Sequence, residues 1–363
     1  MHTLRVVVLA CLAMLPATVR AQDTFDNVER IVAVGDVHGD YEQFVLVLRE
    51  AGVIDSKARW TGGRTFLVQT GDVLDRGPAS RKVMDLLMAL SGPARKAGGR
   101  VIPLIGNHEA MNILGDLRYV SAGEYASYKS GNWSALQERA WQVLSDSARR
   151  GDSAYRKMWF DEHPPGWVEQ RFAFEGNGKY GTWIRTHDAV IRINDMLFLH
   201  GGLSSKYSGM SLDELNTAVR AALAGDKAPP PDNIAEDSLG PLWYRGLATG
   251  DEAMLAPLVD TLLQRFGVKH IVIGHTVTPG TVMPRFGGKV IMIDVGLSAV
   301  YGGTPAFLVV ERGAAFVMHR GTRLDLPLVG DLFPYLKAAA ALDPPGSRLQ
   351  QYVEQLAAVR GAR

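Results

Sequence analysis

Residues 31–39 run Ile31-Val32-Ala33-Val34-Gly35-Asp36-Val37-His38-Gly39. Four apolar residues suited to a buried strand stop at a glycine, and a polar cluster begins at once. The same grammar returns twice. Thr65–Gln69 is a strand that runs into Gly71-Asp72-Val73-Leu74-Asp75-Arg76-Gly77, and Val101–Ile105 is a strand that runs into Gly106-Asn107-His108-Glu109. Between them, Tyr41–Gly52 carries apolar residues at Phe44, Val45, Val47 and Leu48, and Ser80–Leu90 at Val83, Leu86, Leu87 and Leu90. Both spacings predict a helix packed on a sheet. Strands alternating with helices predict an α/β domain, with polar clusters at the strand ends where open α/β sheets hold their ligands.

Farther along the chain the rhythm breaks and resumes. Residues 112–188 are rich in Trp, Tyr, Ser and Arg and are read as a helical, irregular insertion beside the site. Its Tyr119, Tyr125, Tyr128, Trp133 and Trp141 either line a substrate groove or form the insertion's own core. Ala189–Ile193 and Met196–Leu199 flank Asn194-Asp195 and predict a hairpin that delivers His200-Gly201-Gly202. Pro229-Pro230-Pro231 marks a loop, and His270–Ile273 is a strand ending in Gly274-His275. Val290–Asp294 and the pair Ala306–Val310 with Ala315–His319 add further strands. The domain is read as residues 22–320, and residues 321–363 as a C-terminal tail of one or two helices divided at Pro344-Pro345-Gly346.

Composition removes several classes of function. Residues that are 47% hydrophobic and 21% charged make a globular chain and exclude wholesale disorder. Thirty-nine glycines in 363 residues exceed the usual ~7% and, lacking a strict period, mean many tight loops. A net charge of +1 argues against nucleic acid as a stable partner, because phosphate-led binding needs a basic excess. Residues 1–21 carry Arg5, the apolar stretch Val6–Leu15, Pro16 and Val19-Arg20-Ala21, and read as a secretory signal too short to span a membrane. No other apolar run reaches membrane length. Cleavage after Ala21 removes Cys11, the one cysteine, so stability rests on a large core and not on disulfides. This reading makes the protein exported, periplasmic if the source is Gram-negative and otherwise secreted.

The chemistry lies in the strand-end clusters. Asp36, His38, Asp72, Asn107, His200 and His275 could converge on metal. Any one of the acids or the asparagine alone would pass for an ordinary turn residue or helix cap. As a set, the mixture of carboxylate, amide oxygen and imidazole suits first-row divalent ions or ferric iron better than Ca²⁺. A carboxylate such as Asp72 can bridge two cations at the ~3.5–4 Å spacing of two-metal hydrolases. Asp75 and Arg76 are open to a plain salt bridge with each other. His163, His187, His270 and His319 lie outside the motifs and are read as structural or surface residues, and Glu109 as a support for its loop.

These segments, in this order, resemble the calcineurin-like metallophosphoesterases, in particular the phosphoprotein phosphatase branch. The bacterial Shewanella-like phosphatases are the nearest likeness, through Asn107-His108-Glu109-Ala110-Met111-Asn112, Gly115-Asp116-Leu117-Arg118-Tyr119-Val120 and Leu242-Trp243-Tyr244-Arg245-Gly246. The resemblance spans roughly residues 30–320. It implies a four-layer sandwich, two mixed β-sheets face to face and flanked by helices. It implies two metal ions (Mn, Fe or Zn), one held by Asp36, His38 and Asp72, the other by Asp72, Asn107, His200 and His275. By the same resemblance a water or hydroxide bridging the ions is the nucleophile, His108 protonates the leaving group with Asp75 behind it, and Arg76, Asn107 and Arg245 contact substrate. The implied activity is phosphomonoester hydrolysis, with a phosphorylated protein (phosphotyrosine or phosphoserine/threonine) or a small phosphate ester as substrate. A nucleoside-polyphosphate or phosphodiester hydrolase is the alternative enzyme, and an inactive metal-bound binding module the alternative outside catalysis. The sequence departs from the eukaryotic branch at Ile105, where that branch has Arg, and at Tyr244-Arg245-Gly246, which weakens any transfer of Ser/Thr specificity.

Overall fold

The computed structural model describes residues 22–224 and 233–361. The leader reading of residues 1–21, Cys11 and the Pro229-Pro230-Pro231 loop lie outside the described residues. The chain opens with β1 (Thr24–Phe25) and β2 (Arg30–Val34), then α1 (Tyr41–Glu50), β3 (Phe66–Gln69), α2 (Ser80–Lys96) and β4 (Arg100–Pro103). Helix α1 buries Phe44, Val45, Val47 and Leu48, and α2 buries Val83, Leu86, Leu87 and Leu90, the faces that the spacing predicts. Helix α2 runs six residues past Leu90 and takes in Pro93, which has no N–H to give the carbonyl one turn back.

Next come α3 (Asn107–Leu114) and the inserted layer α4 (Ala122–Tyr128), α5 (Trp133–Leu144), α6 (Ser153–Glu162), α7 (Trp167–Phe174) and α8 (Lys179–Ile184). The hairpin forms as β5 (Val190–Ile193) and β6 (Met196–Leu199), with Ile193 opposite Met196. It is followed by α9 (Leu212–Ala222), α10 (Gly246–Thr249), α11 (Glu252–Phe266), β7 (His270–Ile273), β8 (Met283–Arg285) and β9 (Val290–Met292). The chain closes through β10 (Ala306–Glu311), β11 (Ala314–His319), β12 (Thr322–Asp325), α12 (Phe333–Leu342) and α13 (Arg348–Gly361).

Two six-stranded mixed sheets result, ordered β1-β5-β6-β7-β9-β8 and β12-β11-β10-β2-β3-β4. Their apolar residues join one core, with Ile31, Val32, Leu67, Phe198, Ile273, Ile291 and Phe307 almost wholly buried. The alternation of strands and helices predicts the α/β class, and the two sheets with flanking helices are the sandwich that the family resemblance implies. Several boundaries differ. The strand read as Val101–Ile105 is Arg100–Pro103, and the one read as Val290–Asp294 stops at Met292. The tail begins with β12, which pairs antiparallel with β11, before its two helices. Those helices dock: Tyr335 bonds Val282 O at 2.9 Å through its hydroxyl, and buried Asp343 accepts from His319 Nε2 at 2.9 Å and Arg320 Nε at 2.6 Å.

Within the two sheets, β2, β3 and β4 are mutually parallel, and so are β6, β7 and β9. Every polar cluster follows one of these six strands, so six carboxyl-terminal strand ends supply one site.

Candidate metal centre

Asp36 and His38 follow β2, Asp72, Asp75 and Arg76 follow β3, and Asn107 and His108 open α3 after β4. From the other sheet, His200 follows β6 and His275 follows β7. The structure brings all of them together. Asp72 Oδ2 is the centre: His200 Nε2 lies 3.3 Å from it, and His38 Nε2 and His108 Nε2 each lie 3.8 Å away. His200 Nε2 also lies 2.9 Å from Asn107 Oδ1 and 3.1 Å from His275 Nδ1. Asp36 Oδ2 is 3.9 Å from His38 Nε2, and the Asp36 carboxylate accepts the His275 N–H at 3.0 Å. Two ligand groups emerge, His38, Asp72 and His108 on one side and Asp72, His200 and His275 on the other, sharing Asp72.

The local backbone is bent to do this. His38, Asp72, Asp75, Arg76 and His275 all have φ between 44° and 68°, the left-handed region that non-glycine residues rarely occupy. Such strain persists where the surrounding structure fixes it, and it clusters at functional sites. Gly106 is required beside it: a Cβ there would lie 2.3 Å from Asp72 Oδ1. Each imidazole is oriented from behind. His38 Nδ1 lies 2.9 Å from Leu74 O and His200 Nδ1 2.9 Å from Thr70 O, leaving both Nε2 atoms aimed inward.

Electrostatics separate the histidines by role. Burial is the main force on His38 and His275 and pushes them down to about 4 and about 2, so both stay neutral with lone pairs available. Burial also opposes the charged form of His108, but the Asp72 and Asp75 carboxylates outweigh it and raise His108 above its ordinary value. His108 Nδ1 sits 2.5 Å from Asp75 Oδ2, with Asp75 fully buried. This bond ties His108 Nδ1 and keeps Nε2 turned to the centre.

The donor set fits divalent cations. Asp36, Asp72 and Asp294 are all almost completely buried. Burial, then the charges of Asp294 and Asp72, raises the Asp36 carboxyl well above its usual range. Among the described residues no lysine or arginine hydrogen-bonds to these three acids, and Asp294 Oδ2 has no partner. Buried charge of this kind calls for a paired ion or a metal. Neutral imidazoles, carboxylates and an amide oxygen on a shared carboxylate suit two first-row cations.

Asp294 was missed by the sequence reading. It follows β9, the sixth strand end, and burial pushes its carboxyl up to about 6. The signal was there as Asp294-Val295-Gly296, a strand followed by Asp and Gly, but placing the residue inside the strand hid it. The remaining expectations sort cleanly. Glu109 supports its loop through three backbone N–H groups. Arg76 stacks on Tyr119 at 3.8 Å and lies beside the centre. Arg245 is on the exposed rim, where Nη1 donates to His275 O at 2.8 Å and Thr276 Oγ1 at 3.0 Å. No Asp75–Arg76 salt bridge forms among the described residues. Of the insertion's aromatics, Tyr125 is buried, Tyr128 joins the main core, Trp141 is buried among the insertion's own Tyr155, Trp159 and Phe160, and Tyr119 packs 5.1 Å from the His108 ring. His163, His187, His270 and His319 stand away from the centre, held by Trp159, Trp183, Gly288 O and Asp343.

Six strand ends from two facing sheets, converging on a shared buried carboxylate, define a metallophosphoesterase. The chain belongs to the calcineurin-like phosphoesterase family, whose model matches residues 29–279. It is similar to Shewanella-like protein phosphatase 2 of Arabidopsis thaliana, at 31% identity over 80% of this chain and 77% of that protein. Shewanella-like protein phosphatase 1 of Plasmodium berghei (strain Anka) is 26% identical over 76% of this chain and 69% of that one. Among solved structures, the cold-active protein-tyrosine phosphatase of a psychrophilic Shewanella species is similar with TM-score 0.66 and 31% identity, covering 85% of this chain and 83% of that one. The chain is accordingly a phosphoric monoester hydrolase of a family that uses divalent metals.

Proposed function

We propose that the protein is a dinuclear-metal phosphomonoesterase acting on phosphorylated protein, with direct transfer of the phosphoryl group to water. The observation that carries this reading is the position of Asp72 Oδ2, within 3.8 Å of imidazole nitrogens that follow three different strands. Asp36, His38 and Asp72 would hold one ion, and Asp72, Asn107, His200 and His275 the other. When bound, such ions supply charge neutralisation for the phosphate and a water of pKa about 7.

The chain's own groups do the rest. Arg76, held in place by its stacking on Tyr119, presents a planar fork to phosphate oxygens, and Arg245 offers a second cation from the rim. Asn107 can reach substrate as well as metal. His108 Nε2–H faces the centre while Nδ1 is tied to Asp75, so the proton leaves through Nε2 to the departing oxygen. Tyr119 and Tyr301 stand beside His108 and His38, with ring centres 5.1 and 5.2 Å apart in each pair. Two aromatic walls favour an aryl phosphate, and the likeness to a protein-tyrosine phosphatase supports phosphotyrosine ahead of phosphoserine or phosphothreonine.

Metal-stripped protein reloaded with Mn²⁺, Fe²⁺ or Zn²⁺ tests this on phosphotyrosyl and phosphoseryl peptides, an aryl phosphodiester and a nucleoside polyphosphate. The expected result is metal-restored monoester cleavage, fastest on phosphotyrosine. Diester or polyphosphate turnover exceeding monoester turnover would replace the reading, and bound metal without turnover would favour a binding module. The export expected from residues 1–21 belongs to the same proposal and is read by cell fractionation.

A further inference from the structure

We propose that Asn112 is a positioning residue for the proton-donating pair and that the inserted helical layer fixes its orientation through Gln170. The inference rests on the acid role given to His108 above. Asp75 uses one carboxylate oxygen, Oδ2, on His108 Nδ1 at 2.5 Å. The other, Oδ1, accepts from Asn112 Nδ2 at 2.9 Å. Asn112 Nδ2 donates its second hydrogen to His108 O at 3.0 Å. Both ends of the Asp75–His108 pair are thus gripped by one amide, one turn farther along α3.

An amide can face either way, and only one way serves here. Turned over, Asn112 would set its oxygen against the Asp75 carboxylate and the His108 carbonyl. Those two acceptors set the orientation, and Gln170 of α7 holds it from the other side, its Nε2 donating to Asn112 Oδ1 at 2.7 Å. The neighbouring Arg171 Nη1 donates to Asn112 O at 2.6 Å. Asp75, Asn112 and Gln170 are fully buried, so water cannot substitute for any of these bonds. Gln170 Oε1 has no partner. A leucine would fill the space without an unpaired carbonyl, so the glutamine amide is explained by the one bond it donates.

With Asn112 removed, the Asp75 carboxylate is free to turn about its terminal bond, and His108 loses the restraint that aims Nε2. The loss should fall on leaving groups that need a proton and spare those that do not. Asn112→Ala, Gln170→Leu, His108→Ala and the His108→Ala/Asn112→Ala pair are compared as full chains loaded with Mn²⁺. The substrates are phenyl phosphate, a poor leaving group, and 4-nitrophenyl phosphate, a good one. Metal content and Tm are measured alongside.

For Asn112→Ala we expect kcat on phenyl phosphate to fall about 10- to 30-fold and on 4-nitrophenyl phosphate by roughly 3-fold or less, with KM and metal content unchanged. Gln170→Leu repeats the pattern at about a third of that effect and carries the test should Asn112→Ala fail to fold. The double variant should match His108→Ala alone. Equal losses on both esters for Asn112→Ala and Gln170→Leu, or losses that multiply with that of His108→Ala, would overturn the positioning role. If His108→Ala itself loses both esters equally, the acid assignment falls and this inference with it.

Discussion

Glu109 clamps the loop of Asp72 from behind: Oε2 accepts the Asp72 N–H at 2.8 Å and Oε1 the Val73 N–H at 2.9 Å. Oε2 also takes the Gly106 N–H at 2.8 Å, so one carboxylate joins the turn after β3 to the start of α3. Burial, followed by the Asp72 charge, pushes this carboxyl up to about 7, and the Asp72 and Gly106 N–H groups work against that rise. Glu109→Gln replaces one acceptor oxygen with an NH₂ that faces backbone N–H. At about 1–3 kcal/mol for a buried donor left unpaired, the variant should lose roughly 1–3 kcal/mol of stability. Denaturant unfolding of metal-free protein measures this, and the variant should also retain less metal on dialysis. Unchanged stability would mean that the clamp contributes nothing.

Arg76 and the phosphate form the second prediction. Its Cζ lies 3.8 Å over Tyr119, and its backbone N–H donates to Tyr119 O at 3.0 Å, so the side chain is aimed before substrate arrives. Lysine keeps the charge but loses the fork. Arg76→Lys should lower kcat/KM about 10- to 100-fold on phosphomonoesters, with metal content unchanged. An unaltered kcat/KM would remove Arg76 from substrate binding.

Metal binding and proton transfer should separate by mutation. His275→Ala removes a neutral imidazole from the Asp72 and His200 side and should lower the bound metal. His108→Ala should keep its metal and lose about 10²- to 10⁴-fold in kcat, the usual worth of a general acid. Elemental analysis beside steady-state kinetics reads both. Loss of metal from His108→Ala would make it a ligand, as its 3.8 Å distance to Asp72 Oδ2 permits.

Much of this site was legible because each strand ends where its polar cluster begins. The apolar runs 31–34, 65–69, 196–199 and 270–273 predict strands, and the residues after them carry the chemistry. Local sequence does not report three other features. Asp294 belongs to a strand end that was read as strand, because Ile293 continues the apolar run past Met292. The left-handed backbone at His38, Asp72, Asp75, Arg76 and His275 is imposed by tertiary contacts and not by glycine at those positions. The choice between core and groove for the insertion's aromatics depends on helix packing: Trp141 closes against Trp159, Tyr155 and Phe160, while Tyr119 alone of the five is carried to the His108 ring.

His187 predicts an acid-sensitive stability term. It is buried against Trp183, its Nδ1 has no partner, and burial pushes it down to about 3. In the unfolded chain a histidine titrates near 6.5. Below that pH the unfolded chain takes up a proton that the folded chain refuses. The contribution is therefore complete above about 6.5 and is lost as pH falls towards 3, at about 1.4 kcal/mol per pH unit. His187→Leu should flatten the difference in unfolding free energy between pH 6 and pH 4 by roughly 2–3 kcal/mol relative to the parent chain. An identical pH slope in the two proteins would contradict it.

The most direct test of a shared Asp72 centre is a titration of chelator-stripped full-length chain with Mn²⁺ while phosphotyrosyl peptide hydrolysis is followed. Turnover should be absent without metal and should saturate at two equivalents per chain. Saturation at one equivalent, or turnover that survives complete removal of metal, would contradict the account.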